Sequence, residues 1–345
     1  MGMKGFILFL FLMLPGLPFH AQSVSFLHEI EQDSVLDVYL RLDWKQLEKH
    51  KKDKAYQPSL VCCNTPGKDS LALNAKVRTR GHMRLEICDY PPLKLKIDKD
   101  DLSEHNLSSL NELDIVNHCD QSEADDQLLL KEYLAYKLWE LVSPTYFKTQ
   151  LIRLHYQNPD GTEAHKTAPG FLLEDPEEMV NRLDGRLPKN AIMSTSTIAR
   201  QPFLRLCLFE FMIGNTDWYI PSRHNLEFIG ISGYQLLVTV PYDFDYSGLV
   251  HAPYAVPHET LELPDVSIRY YQGWCQTESE VRGQLQVFLD QKEKILDMPY
   301  HIPGLNEKSI HQAVEYLQAF YDIIENPKKL ENQVIKHCDK WPVDQ

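Results

Sequence analysis

The chain has 345 residues, of which 43% are hydrophobic, 10% aromatic and 24% charged, with 15 glycines and 21 prolines. Fractions so near the globular average exclude a disordered chain, a collagen-like repeat and a multi-span membrane protein. Lys and Arg number 35 and Asp and Glu 49, a net charge of −14, so duplex nucleic acid and anionic lipid are poor default partners.

The first 21 residues carry one basic side chain (Lys4), an apolar run from Phe6 to Leu14, the helix breakers Pro15, Gly16 and Pro18, and the small Ala21. That is the layout of a cleaved secretory signal, and it predicts an exported, periplasmic or extracellular protein. The run is too short to span a bilayer, and no later segment is apolar for long enough, so no membrane span is expected. Seven cysteines would then meet an oxidising compartment, with at least one left unpaired. The vicinal Cys62 and Cys63, ahead of Asn64 to Gly67, look like a turn whose thiols bond elsewhere rather than to each other. Zinc spacing is absent.

Alternating apolar positions predict strands at 34–42, 57–63, 70–80 and 92–97, with a short helix at 44–50 after Asp43. In the last strand Leu93, Leu95 and Ile97 share one face while Lys94 and Lys96 share the other, as in an antiparallel sheet with one wet or ligand-facing side. A short strand at 111–116 precedes a long helix at 122–141 that Pro144 terminates. Strands at 149–156 and 167–173 flank the turn Asn158-Pro159-Asp160-Gly161 as a hairpin. Residues 201–213 form a helix apolar on most sides. Strands at 225–229 and 234–240, helices at 278–296, 307–324 and 327–337, and a long ordered loop at 242–264 complete the chain.

Two segments place carboxylates beside apolar element ends: Gly214-Asn215-Thr216-Asp217-Trp218 with His224-Asn225, and Pro241-Tyr242-Asp243-Phe244-Asp245. The β-turn-β unit between them can return Asp243 and Asp245 beside Asp217 and Asn225. Hard oxygen ligands converging there suit Mg²⁺ or Mn²⁺ on a polyphosphate. A base Asp on a loop, a downstream Asn, a strand pair and a further Asp is also the order of parts in kinases, where catalysis is positioning plus charge stabilisation.

On these residues the chain resembles the CotH-like atypical protein kinases, a spore-coat kinase family more distantly similar to HipA-like kinases. The resemblance runs in segments over roughly residues 71–248. Arg78-Thr79-Arg80-Gly81 and Pro91-Pro92-Leu93-Lys94-Leu95-Lys96 look like the family's Arg-x-Arg-Gly and Pro-Lys-rich strand pair, and Gly170-Phe171-Leu172-Leu173-Glu174 like its Gly-aromatic-x-x-Glu segment. It implies Asp217 as catalytic base; Asn225 and Asp243, with Asp245, as metal ligands; and Lys94 or Lys96 as the phosphate-contacting lysine. Arg80 and Glu174 are the further nucleotide-side candidates. Glu132 is a candidate acid for the strand lysine. His82-Met83-Arg84 depart from the family's small polar residues after Arg-Gly.

The fold expected is α+β: a two-lobed kinase-like domain with a signal at 1–21, an antiparallel-sheet lobe at 22–175 and a mainly helical lobe at 176–345. The activity expected is transfer of the ATP γ-phosphoryl, with Mg²⁺ or Mn²⁺, to a hydroxyl acceptor, which the resemblance implies to be protein Ser or Thr. The alternative is an inactive pseudokinase that binds an envelope component or surface polymer.

Overall fold

Strict alternation of buried and outward residues marks two strands in the first half of the chain. The strand Leu36–Leu42 (β1) buries Leu36, Val38, Leu40 and Leu42 and turns Asp37, Tyr39 and Arg41 outward, and Leu93–Ile97 (β4) repeats the pattern. The other strands are Gln57–Asn64 (β2), Leu71–Thr79 (β3), Glu112–Asn117 (β5), Thr149–Gln157 (β6) and Ala168–Glu174 (β7). In this computed structural model, which describes residues 23–64, 67, 70–120, 122–189, 192–258 and 260–338, they close into a barrel in the order β1-β2-β3-β4-β5-β7-β6. The expected signal, 1–21, lies outside the described residues.

The expected antiparallel sheet is instead a closed barrel with one parallel pair. Every neighbouring pair is antiparallel except β1 with β6, which run parallel with Leu36 opposite Ile152. Alternation reports one buried face and is silent on whether that face packs against another layer or against its own sheet. Here it faces inward, and Leu40, Leu73, Val77, Leu95, Ile115 and Leu154 fill the barrel. Short helices accompany it: the expected Trp44–Lys49 (α2), entered from Asp43, and three that no periodicity announced, Phe26–Ile30 (α1), which contributes Phe26, Leu27 and Ile30 to that core, Met83–Ile87 (α3) and Lys99–Glu104 (α4).

The long helix Glu123–Val142 (α5) starts where Ser122 accepts a bond from Asp125 N, with Glu123, Asp125 and Asp126 in its first turn, where carboxylates favour the positive helix end. It packs on β7. After Pro176–Arg182 (α6), the apolar helix Arg200–Ile213 (α7) is buried along nearly its whole length and stops at Gly214, whose φ of 66° is left-handed. Leu226–Ile229 (β8) and Val238–Pro241 (β9) form a separate two-stranded sheet. The expected helix at 278–296 is two, Glu278–Asp290 (α8) and Lys292–Asp297 (α9), broken at Gln291. Glu307–Ile324 (α10) and the single turn Pro327–Leu330 (α11) close the chain, and a π-helical turn, Glu331–Ile335, replaces the rest of the expected last helix. A second apolar cluster joins α5, α7, α8, α10, β8 and β9.

Disulfides link Cys88 to Cys119 and Cys275 to Cys338, while Cys62, Cys63 and Cys207 remain thiols. The vicinal pair is therefore not a turn bonded elsewhere. Both residues lie in β2, paired with Tyr39 and Val38 of β1. Among the described residues no helix is long and apolar enough to cross a membrane.

Candidate active site

The loop after α7 is held from below. Asn215 is buried, and its Oδ1 accepts the Asp217 backbone N–H at 3.0 Å. Burial pushes the adjacent Glu210 well above the carboxylate range. Gly214 is required by its left-handed φ and by crowding, because an added Cβ would meet the Tyr316 hydroxyl.

Asp217 then receives donors on both carboxylate oxygens. Asn225 Nδ2 donates to Oδ2 at 3.0 Å and to the Asp217 carbonyl at 2.7 Å, and His224 Nε2 lies 3.0 Å from Oδ1. That bond is the largest cause of the raised His224 pKa. Asn225 and Asp243 both adopt positive φ, 54° and 65°, uncommon for residues with a Cβ and frequent at working sites. They flank the open end of the β8–β9 ladder, where Tyr242 N donates to the Asn225 carbonyl at 3.1 Å. The hairpin thus brings the two motifs together.

Asp243 is anchored by its backbone N–H, which donates to the Tyr136 hydroxyl of α5 at 2.9 Å. Phe244 is fully buried against Tyr136 and Phe209. Asp245 is also buried and accepts from the Tyr254 hydroxyl at 3.0 Å. Burial first, and the Asp243 carboxylate second, push Asp245 up to about 7. Burial, then Asp245 and Asp243, push Glu132 of α5 well above its usual range, against the pull of Arg84 and Arg80.

Asp217, Asn225, Asp243, Asp245 and Glu132 line one cavity of about 650 Å³, together with Arg80, Arg84, Tyr242 and Tyr246. Arg80 leaves the end of β3 and pairs with Asp114 at 3.2 Å. Burial works against its charge, but Asp114 and Asp243 together hold its pKa above the ordinary value. Arg84 donates Nη2 to the Asn117 carbonyl, while its buried Nε has no partner.

Among the described residues no group of three or more His, Cys, Asp or Glu is arranged to hold a metal. A divalent cation here would need a mixed donor set, with the Asn225 amide oxygen, whose nitrogen serves Asp217, beside Asp243 and Asp245. One or two carboxylates completed by phosphate and water is the habit of Mg²⁺.

Of the residues singled out from sequence, Asp217, Asn225, Asp243, Asp245 and Arg80 meet in this cavity, whereas Lys94, Lys96 and Glu174 are not among its lining residues. Lys94 bonds Asp175 at 2.9 Å, with Glu112 and Asp114 each at 3.5 Å, and Lys96 bonds Glu112 at 2.7 Å. Both point outward from β4 toward β5, whose Asp114 and Glu112 are their register partners. Glu174 is buried and accepts from Arg182 Nε, Arg182 Nη2 and the Lys148 backbone N–H. Glu132 lies among Arg84, Arg80, Asp243 and Asp245, not beside a strand lysine. Tyr136 is the site residue that sequence reading missed, whereas Arg84, noted there within His82-Met83-Arg84 after Arg80-Gly81, lines the cavity with Arg80.

No protein-family model matches the chain, and a search of curated proteins finds no match. Among solved structures the chain is similar to a proinflammatory kinase of Helicobacter pylori, CtkA, with a TM-score of 0.40 and 11% sequence identity over 75% of this chain and 94% of that one.

Proposed function

We propose that the cleft binds a metal–nucleotide complex and transfers the γ-phosphoryl of ATP to a hydroxyl acceptor, within a two-lobed kinase-like arrangement of barrel and helical halves. The observation that carries this reading is the convergence of Asp217, pinned by Asn225, with Asp243 and Asp245 in one cavity. Asp217 takes the acceptor proton as the acceptor oxygen bonds to the γ-phosphorus; the bond from that phosphorus to the β–γ bridging oxygen breaks and ADP departs. Asn225, Asp243 and Asp245 would hold Mg²⁺ or Mn²⁺, which supplies charge neutralisation on the phosphates. Arg80 and Arg84 take the cationic role first given to Lys94 or Lys96, since they line the cavity. Glu132 lies between them and the two aspartates, where burial favours its protonated form.

The acceptor proposed is a protein Ser or Thr hydroxyl, by family resemblance. Export is part of the same proposal. It rests on the layout of residues 1–21 and on two disulfides of a kind that persists in oxidising compartments. A second reading, a binding protein with an inert cleft, is favoured by the tying of Lys94 to Asp175, Asp114 and Glu112.

Calorimetry with a non-hydrolysable ATP analogue separates these readings at the first step. Binding that requires Mg²⁺ or Mn²⁺ and weakens about ten-fold or more in Asp243→Ala is the result expected. Absence of metal-dependent binding contradicts it.

A further inference from the structure

A second cavity, of about 490 Å³, lies back to back with the cleft. Thr79 and Leu93 are register partners and line it, while the adjoining Arg80 and Pro92 line the cleft, as alternate residues of a strand face opposite ways. The volume is that of a small-ligand pocket.

One wall is aromatic. Trp44 of α2, Tyr90, Tyr156 and His165 meet with ring centroids 5.0 Å apart for Trp44–Tyr156, 5.4 Å for Trp44–His165 and 5.2 Å for Tyr90–His165. The polar tips of these side chains are already engaged. Trp44 Nε1 donates to the Gln157 carbonyl at 2.9 Å, the Tyr90 hydroxyl meets His165 Nδ1 at 3.3 Å, and the Tyr156 hydroxyl meets His118 Nδ1 at 3.4 Å. What these side chains offer a ligand is apolar ring surface, set edge to face at interplanar angles of 66°, 79° and 85°. Its edge differs. Asn117 is buried; its amide nitrogen serves the Tyr90 and His118 carbonyls, and its Oδ1 accepts no bond. Lys45, Glu48 and Asp89 stand exposed around the cavity.

We propose that this cavity is a saccharide site that takes a neutral sugar ring. A sugar is apolar on its C–H faces and polar at its rim, which complements an aromatic wall edged by an unpaired acceptor, two carboxylates and an ammonium. A purely apolar side chain would leave the buried Asn117 oxygen unsatisfied, at a real cost. A quaternary cation is the competing occupant of rings set at these angles, and the choline probe distinguishes it. Nucleotides and acidic sugars are disfavoured by the excess of carboxylate over ammonium at the rim. This inference goes beyond the phosphoryl-transfer reading and does not depend on it.

The test is a neutral-oligosaccharide array followed by calorimetry on the disulfide-intact chain, with choline as the competing probe and Asp217→Ala as a parallel sample. Saturable binding of at least one neutral saccharide is expected, unchanged in Asp217→Ala and weakened about ten-fold or more in Trp44→Ala. Because Trp44 also packs on Tyr156, the exposed Glu48→Gln and Asp89→Asn keep the test independent of folding, and each should weaken binding about three-fold or more. The proposal is overturned if no neutral saccharide binds, if choline binds instead, or if binding is indifferent to Glu48→Gln and Asp89→Asn together.

Discussion

Asn225 holds Asp217 through one amide nitrogen shared between the Asp217 carboxylate, at 3.0 Å, and its carbonyl, at 2.7 Å. The pair fixes both the backbone and the side chain of the proposed base, and it leaves the Asn225 oxygen for the proposed metal. Asn225→Ala should lower phosphoryl transfer by about 100-fold or more, the scale at which a small misplacement of a catalytic group is felt. Turnover at saturating nucleotide, compared with melting temperature, checks that the loss exceeds any loss of fold.

Stability should fall as pH rises through the neutral range. Asp245 has a folded value of about 7 against an ordinary 3.8, so between those values the folded state keeps a proton that the unfolded state releases, and folding weakens as pH rises across that window. Glu132 shifts in the same direction. The raised His224 acts in the same direction, its stabilisation present below its ordinary 6.5 and lost as pH rises through its folded value. Melting temperatures across pH 5 to 8 should therefore decline, and less steeply in Asp245→Asn. Mg²⁺ with nucleotide should stabilise most at the alkaline end, where the carboxylates are ionised.

Gly214 predicts a strain effect. Gly214→Ala should cost about 1–3 kcal/mol, from its φ of 66° and from the clash with the Tyr316 hydroxyl. Tyr316→Phe in the same chain should recover part of that loss, because it removes the clash and leaves the backbone strain. Denaturant unfolding of the single and double variants measures both.

Much of this architecture can be read from the sequence, and the unread part has a physical reason. Alternation in Leu36–Leu42 and Leu93–Ile97 marks strands because each buries a single face. Nothing local in it shows that β1 meets β6 in parallel, since that pairing joins residues far apart in the chain. The helices α1, α3, α4 and α6 are too short to show a helical period. Lys94 is readable as outward-facing, but which acids receive it is decided by the register of β5, opposite β4. Asp217, Asn225 and the 243–245 doublet are legible as an ordered set because one short hairpin joins them. The partners of Arg84 and Glu132 are not, because the two meet only after α3 and α5 have packed.

The disulfides predict a thiol count. Alkylation of the unfolded, unreduced chain should label Cys62, Cys63 and Cys207 and spare Cys88, Cys119, Cys275 and Cys338. Opening the Cys275–Cys338 link, 63 residues apart, by a double Ser substitution should cost about 4 kcal/mol by loop-closure entropy. Mass spectrometry reads the first outcome and denaturant unfolding the second.

The central claim is tested most directly by transfer of labelled γ-phosphate from ATP, with Mg²⁺ or Mn²⁺, to the chain itself or to an added protein. Transfer that both Asp217→Ala and Asp243→Ala abolish, while each variant keeps its melting transition, is the result predicted. No transfer to any protein, or transfer that survives both substitutions, contradicts a phosphotransferase built on this cleft.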